Sequence, residues 1–342
     1  MATRQINPKA ILPGKFARSS QYSMEGFMLI DVGASGGIDG FWGECFGATL
    51  TAVGFDPLIA EVERLNKTRG YGGIRYEAAF VGCPEYDTMF PSSLRQDPIA
   101  SKDNSSFQGT SAVRASEAMR MNYVKEVFNA GAEVRLTERL VSLDDYVQES
   151  GIRSVDFVKI DTDGHDIEVI LGAKQMLRAQ EVLGICVEAQ MHGACHPYSN
   201  TFSNIDRLLR EWGFSLFDLD LWRYSRRSLP DTFYYKIPAQ TVTGQVQWGE
   251  AVYFRDLARP DYEKMHGLTV GIAKQIKLAC LFEIFGLPDC SAQILVQLQQ
   301  QTGDRFFAAL LDDLVSQYRR SRMPYSRFLE NFDSDPKRFY PS

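Results

Sequence analysis

Between residue 27 and about residue 220 the chain alternates short apolar runs with helix-patterned stretches, and few folds accept that rhythm. FMLIDVG (27–33), LTAVGFD (50–56), IRYEAAF (74–80), VDFVKID (155–161) and LGICVEA (183–189) each have the length of a strand. Their apolar character is continuous rather than alternating, which suits strands covered on both faces. Helical patterns at 57–69, 164–179 and 201–212 separate them, and Gly213 ends the last one. Repeated strand–helix units of this kind build a mostly parallel sheet in an α/β fold. FSLFDLD (214–220) and EAVYFRD (250–256) are two further strands with nearly 30 residues and no obvious amphipathic helix between them. An antiparallel pair with a long excursion is therefore expected there.

Other stretches break the rhythm. Residues 91–112 are rich in Ser, Asp, Asn and Gln and are expected to form a long surface loop. A helix over 113–130, an inserted strand over 133–140 and a helix beginning at Ser142 follow, with Ser142 and Asp145 as a capping-box-like pair. After Pro260 the pattern is helical at 268–285, 291–301, 304–321 and 324–331, punctuated by Pro288, Gly303 and Pro324. Phe306, Phe307, Leu310, Leu311 and Leu314 form an apolar stripe. Such a stripe is expected to dock within the chain, with a homodimer as the second alternative. The expected division is an N-terminal segment (1–26), an α/β domain (27–257) and a helical C-terminal extension (258–342).

Composition narrows the partners. With 37 basic and 43 acidic residues the formal charge is -6, so no basic field draws in nucleic acid. No apolar run approaches the roughly 18 to 20 residues of a membrane span, and the N-terminus lacks a signal core. A cytoplasmic protein is expected. Cys45, Cys83, Cys186, Cys195, Cys280 and Cys290 show neither C-x-x-C spacing nor disulfide density, which points to free, mostly buried thiols.

The segment LIDVGASGG runs a strand ending at Asp31 into Gly33, Gly36 and Gly37, where the backbone can turn tightly and approach a ligand. At the end of the second strand, 25 residues later, stands Asp56, placed to accept hydrogen bonds from the ribose hydroxyls of an adenosine. An ordinary strand-to-helix turn and a helix cap are the plainer alternatives. A dinucleotide would require G-x-G-x-x-G, but Ser35 and Ile38 occupy its second and third glycine positions. An acidic Asp31 would also repel a pyrophosphate, yet suits the cationic amino group of S-adenosylmethionine.

LIDVGASGG, GFDP, SLDD, VDFVKIDTDGHDIEVILGAKQML and VLGICVEAQ together resemble the FkbM family of S-adenosylmethionine-dependent methyltransferases over about residues 27–256. The resemblance implies a Rossmann-like class I methyltransferase with a mostly parallel seven-stranded sheet whose last strand is antiparallel. It implies Asp31, Gly33 and Ser35 at the methionine end of the cofactor, Asp56 on the ribose and Ala79 near the adenine, with Ala34, Phe55 and Asp161 as further cofactor-binding residues. Family members usually carry Asn where Ser35 stands and a different residue where His165 stands.

Methyl transfer to a hydroxyl benefits from a base, because the oxygen loses its proton. KIDTDGHD (159–166) places Asp161, Asp163, His165 and Asp166 at the sheet edge where open α/β sheets bind ligands. Asp161 and His165 are the candidate bases, whereas Asp163 and Asp166 suit a helix start. Glu188 and His192 follow the fifth strand, and with Asp161 they are the candidate ligands for a divalent metal. His196 and His266 are expected to be incidental. Trp222, Arg223, Tyr224, Arg226 and Arg227 combine aromatic faces with guanidinium donors suited to a sugar. Ser105 and Ser106 in the long loop, together with Glu188, His192, Arg223 and Tyr224, complete the candidate acceptor contacts. The leading expectation is O-methylation of a sugar hydroxyl in a glycan, glycolipid or glycosylated natural product. A polyketide, lipid or other small-molecule acceptor, and a non-catalytic cofactor-binding module, stand as alternatives.

Overall fold

The computed structural model describes residues 6–7, 9–22, 24, 26–68, 72–91, 135–179, 182–224, 243–317 and 323–339. They form two compact units, one drawn from residues 28–39 and 50–256, the other from residues 1–27, 40–49 and 257–342.

The first unit is built on strands β1 (Phe27–Val32, whose first residue belongs to the other unit), β2 (Leu50–Asp56), β3 (Ile74–Ala78), β4 (Phe80–Val81) and β5 (Leu140–Val141), followed by β6 (Phe157–Ile160), β7 (Gly184–Gln190), β8 (Ser215–Tyr224) and β9 (Gln245–Phe254). Seven of them make one sheet in the order β3-β2-β1-β6-β7-β9-β8. The β2–β3, β1–β6 and β6–β7 pairs are parallel, while β9 runs antiparallel to both β7 and β8. This is a Rossmann-like α/β sheet with its last strand reversed, as the family resemblance implied, and its parallel strands and antiparallel final pair follow the sequence rhythm.

Register explains why the strand sequences look continuously apolar. On one face Ile30, Val32, Val158, Ile160, Ile185, Val187, Ala251 and Tyr253 join a core with Ile167, Ile170, Met176, Leu177, Ile205 and Leu209. These last come from the helices Asp166–Gly172, Lys174–Ala179 and Phe202–Glu211. Alternate residues point the other way. On that opposite face Asp31, Lys159 and Cys186 are successive cross-strand partners, and Glu188 is opposite Glu250.

Several expected boundaries move. IRYEAAF is two strands, because after Ala78 the chain leaves the large sheet and β4 pairs instead with β5. The expected helix over 164–179 is split at Ala173, where Gly172 passes so near β4 that a Cβ on it would stand 2.0 Å from the Gly82 carbonyl oxygen. Within the expected 133–140 strand, pairing among the described residues is confined to Leu136 against Leu58 and to Leu140. The helix expected at 57–69 starts at Ile59, after Asp56 caps the Leu58 amide. Ser142 caps its helix as expected, accepting from the Asp145 amide while its hydroxyl donates to the Asp145 carboxylate. The helix expected over 113–130 lies outside the described residues.

The second unit joins the helices Leu12–Ala17 and Gly40–Phe46 to the C-terminal helices Ile272–Ile284, Pro288–Thr302 and Arg305–Ser316. Phe307, Leu310, Leu311 and Leu314 of the expected stripe are buried, and Phe16 and Tyr22 pack on Phe306 and Phe307. Glu283 is fully buried and accepts hydrogen bonds from the amides of Ile11 and Leu12. All six cysteines are free, and Cys83, Cys186 and Cys280 are buried. Among the described residues no helix is long and apolar enough to cross a membrane.

Candidate functional site

The ends of β1 and β6 meet at Gly33. Its φ of +84° belongs to the left-handed region, and a Cβ would stand 1.8 Å from the Asp161 carbonyl oxygen. Only glycine allows the two strands to close there. The amide of Asp161 continues the pairing to Val32, and the amides of Gly33 and Ala34 both donate to the Phe55 carbonyl. Phe55 thus contributes its backbone, while its ring is buried edge-on against Tyr146. Ser35 and Gly36 lie exposed at the tip of the loop.

Two residues that the motif reading passed over hold this loop. Glu61 is 1% exposed and accepts from the Gly36 amide, with its carboxylate forked by Arg64. Arg64 holds the Glu61 carboxyl below its ordinary value. The Tyr76 hydroxyl accepts from the Ile38 amide. Nothing in local spacing marks either residue.

Asp56 is buried at the end of β2. Its Oδ1 accepts from the Leu58 amide at 2.8 Å, and Oδ2 has no partner among the described residues. Burial pushes this carboxyl up and the Leu58 amide opposes that. Ala79, also buried, donates its amide to the Asp56 carbonyl, so β2 and β3 end side by side. A carboxylate with one uncommitted oxygen beside a glycine loop fits an adenosine ribose.

Asp31, Lys159 and Asp161 form a second cluster. Lys159 Nζ lies 3.4 Å from Asp31 Oδ1 and 3.5 Å from Asp161 Oδ2. Burial pushes the Asp31 carboxyl up against the opposing Lys159 charge. For Lys159, burial works against the charge, but the carboxylates of Asp31 and Asp161 outweigh it and raise its pKa. A lysine inside the otherwise apolar V-K-I was the signal that could have exposed this partnership. Glu188 comes alongside Asp161, and burial followed by the neighbouring Asp161 carboxylate pushes its carboxyl well above 4.5.

The remaining KIDTDGHD residues split as follows. Asp163 takes φ +54° in the turn before Gly164. Asp166 is fully buried, accepting from the amide and hydroxyl of Thr162 and from Asn200. His165 is exposed and its Nδ1 lies 2.8 Å from Glu168 Oε1. His192 donates from Nε2 to the Val246 carbonyl, which is opposite Arg223 on β8, and Tyr224 is opposite Gln245. Those three are brought to one end of the β8–β9 pair, where Trp222 and Trp248 stack with ring centres 4.1 Å apart. Ser105, Ser106, Arg226 and Arg227 lie outside the described residues. Among the described residues no three His, Cys, Asp or Glu side chains converge as a metal site, and the Asp161, Glu188 and His192 set does not fit one.

Residues 32–216, more than half of the chain, match the methyltransferase FkbM domain. The chain belongs to that family. It is therefore an S-adenosylmethionine-dependent methyltransferase, and the glycine loop, Asp56 and the β1–β6 junction fit that cofactor. No curated protein matches significantly. Similar solved structures include an S-adenosylmethionine-dependent methyltransferase from Aquifex aeolicus, at 10% identity and TM-score 0.27, covering 73% of this chain and 91% of that one. Another is an arsenic(III) S-adenosylmethionine methyltransferase from Chlamydomonas reinhardtii, at 12% identity and TM-score 0.33, covering 68% and 64%. At such scores the identification rests on the family match.

Proposed function

We propose that this FkbM-domain methyltransferase methylates a hydroxyl oxygen, on a sugar within a glycan, glycolipid or glycosylated natural product. Bound at the β1–β2–β6 strand ends, S-adenosylmethionine supplies an electrophilic methyl group. Asp56 holds the ribose through its uncommitted oxygen, with Phe55 supporting the loop and Ala79 closing the adenine side. Asp31, Gly33, Ala34, Ser35 and Asp161 frame the methionine end. With the cofactor bound, the methyl group would be offered to the acceptor oxygen, and the protein would take up the proton that the hydroxyl loses. Asp161 and His165 are the two residues proposed to receive it.

The observation that carries this reading is the line of carboxyls at the strand ends, Asp161 beside Glu188 and Glu188 opposite Glu250, running toward Trp248 and Trp222. Carboxylates accept from sugar hydroxyls, and aromatic faces cover the apolar face of a sugar ring. Glu188, His192 and Arg223 are the proposed acceptor contacts. The test offers S-adenosylmethionine with methyl glycosides and with aglycone alcohols and follows S-adenosylhomocysteine. Turnover with glycosides alone supports the sugar reading. Turnover only with aglycones transfers the function to a polyketide, lipid or other small-molecule acceptor, and cofactor binding without turnover on either set overturns the proposal.

A further inference from the structure

The frame around the methionine end contains two carboxylates, and the structure gives them unequal access. The Asp31 side chain is 4% exposed, whereas that of Asp161 is 38% exposed. Between them stands the single ammonium of Lys159, near the outer limit of hydrogen-bonding distance to each. Because Asp31 and Lys159 are cross-strand partners on parallel β1 and β6, their side chains leave the same face of the sheet. A carboxylate buried as deeply as Asp31 requires a paired charge. Lys159 is the cation within reach.

We infer that Asp31 is a positioning residue that does not touch the cofactor: it draws the Lys159 ammonium back from Asp161, leaving the accessible Asp161 carboxylate to receive the cationic amino group of S-adenosylmethionine. The three groups together carry one net negative charge. If Asp31 lost its charge, Lys159 would swing fully onto Asp161 and compete with the ligand ammonium for the same oxygens. This inference rests on the placement of the methionine end proposed above. With Asp161 so engaged, His165 is left as the proton acceptor of the two.

The test is a charge-balance rescue measured by calorimetric binding of S-adenosylhomocysteine to the full chain. Asp31→Asn should weaken binding about tenfold, the scale of one lost hydrogen bond to a charged group. The double variant Asp31→Asn with Lys159→Met, which removes both charges, should bind several-fold better than Asp31→Asn alone. Asp161→Asn should lose at least as much affinity as Asp31→Asn. Neither Asp31→Asn nor the double variant leaves a buried charge unpaired, so both are expected to fold, and melting curves check this. 5′-Methylthioadenosine keeps the nucleoside and lacks the amino-acid end, so its affinity should stay within about twofold across the set. A double variant no tighter than Asp31→Asn would mean that Asp31 is itself the ligand and would overturn the inference. So would an Asp161→Asn variant of wild-type affinity. If 5′-methylthioadenosine binding falls in parallel, the residues support the fold generally and the inference is lost. If wild type binds S-adenosylhomocysteine no better than 5′-methylthioadenosine, the placement of the methionine end has failed instead.

Discussion

Single side chains at the strand ends divide the work between cofactor and proton. Asp56 has one oxygen on the Leu58 amide and one uncommitted, so Asp56→Ala should weaken S-adenosylhomocysteine binding about tenfold while the fold persists. Unchanged calorimetric affinity in a folded variant would remove Asp56 from the ribose. His165→Ala should lower kcat by about 10² or more with the KM for S-adenosylmethionine unchanged. A kcat within twofold of wild type would show that His165 serves only to pair with Glu168. Glu188 yields a pH prediction. Burial and then the neighbouring Asp161 carboxylate raise its carboxyl well above 4.5. An acid raised in the folded state adds stability that is complete below its unfolded value and is lost as pH climbs through its folded value. Glu188→Gln keeps a donor for Asp161 and cannot ionise. Its Tm should therefore match wild type near pH 4.5 and rise relative to wild type at higher pH, whereas a pH-independent difference would show that Glu188 does not titrate in that window. Asp31, Asp56 and Asp161 were legible in the sequence because each ends a strand beside a motif. Glu61 and Tyr76 were not, because contacts made between elements distant in the chain leave no periodic trace.

At the scale of elements, the β1–β6 closure and the loop tip differ in what they tolerate although both use left-handed glycines. Gly33 and Gly36 share φ +84°, but a Cβ on Gly33 meets the Asp161 carbonyl oxygen at 1.8 Å and one on Gly36 meets nothing within 4 Å. Gly36→Ala should therefore cost only backbone strain of about 1–2 kcal/mol, lowering Tm by a few degrees. Gly33→Ala must separate two strand ends and should either fail to fold or lose S-adenosylhomocysteine binding with a much larger fall in Tm. Equal melting temperatures for the two variants would refute the close approach. The Ser142–Asp145 cap and the antiparallel β8–β9 pair were readable because their signals are local. The break at Ala173 was not, since helical periodicity continues across it and the close approach of Gly172 to the distant Gly82 backbone leaves no local signal. IRYEAAF divided for the same kind of reason: the second half changes sheets to pair with Leu140 and Val141, partners that sequence pattern alone does not name.

The compact units of the molecule are not linear segments of the chain. One compact unit draws on three separated stretches, 1–27, 40–49 and 257–342, so the C-terminal helices complete a core begun before the first strand. Glu283 receives the amides that start the Leu12–Ala17 helix, Trp42 packs near Phe285, and Tyr22 reaches Phe307 and the carboxylate of Asp304. Burial of Phe307, Leu310, Leu311 and Leu314 uses the stripe within the chain. Deleting residues 257–342 would therefore uncover Phe16 and Trp42, both at most 2% exposed, in stretches that cannot be removed with the tail. Newly exposed apolar surface of that kind promotes association. The truncated protein should be poorly soluble or aggregated. Phe307→Ala in the full chain provides a milder probe, expected to cost about 3–5 kcal/mol and to lower the melting temperature by many degrees. A truncated chain that stayed soluble, monomeric and thermally unchanged, together with a Phe307→Ala variant of wild-type Tm, would show that the helices form an independent unit and that the N-terminal segment does not depend on them.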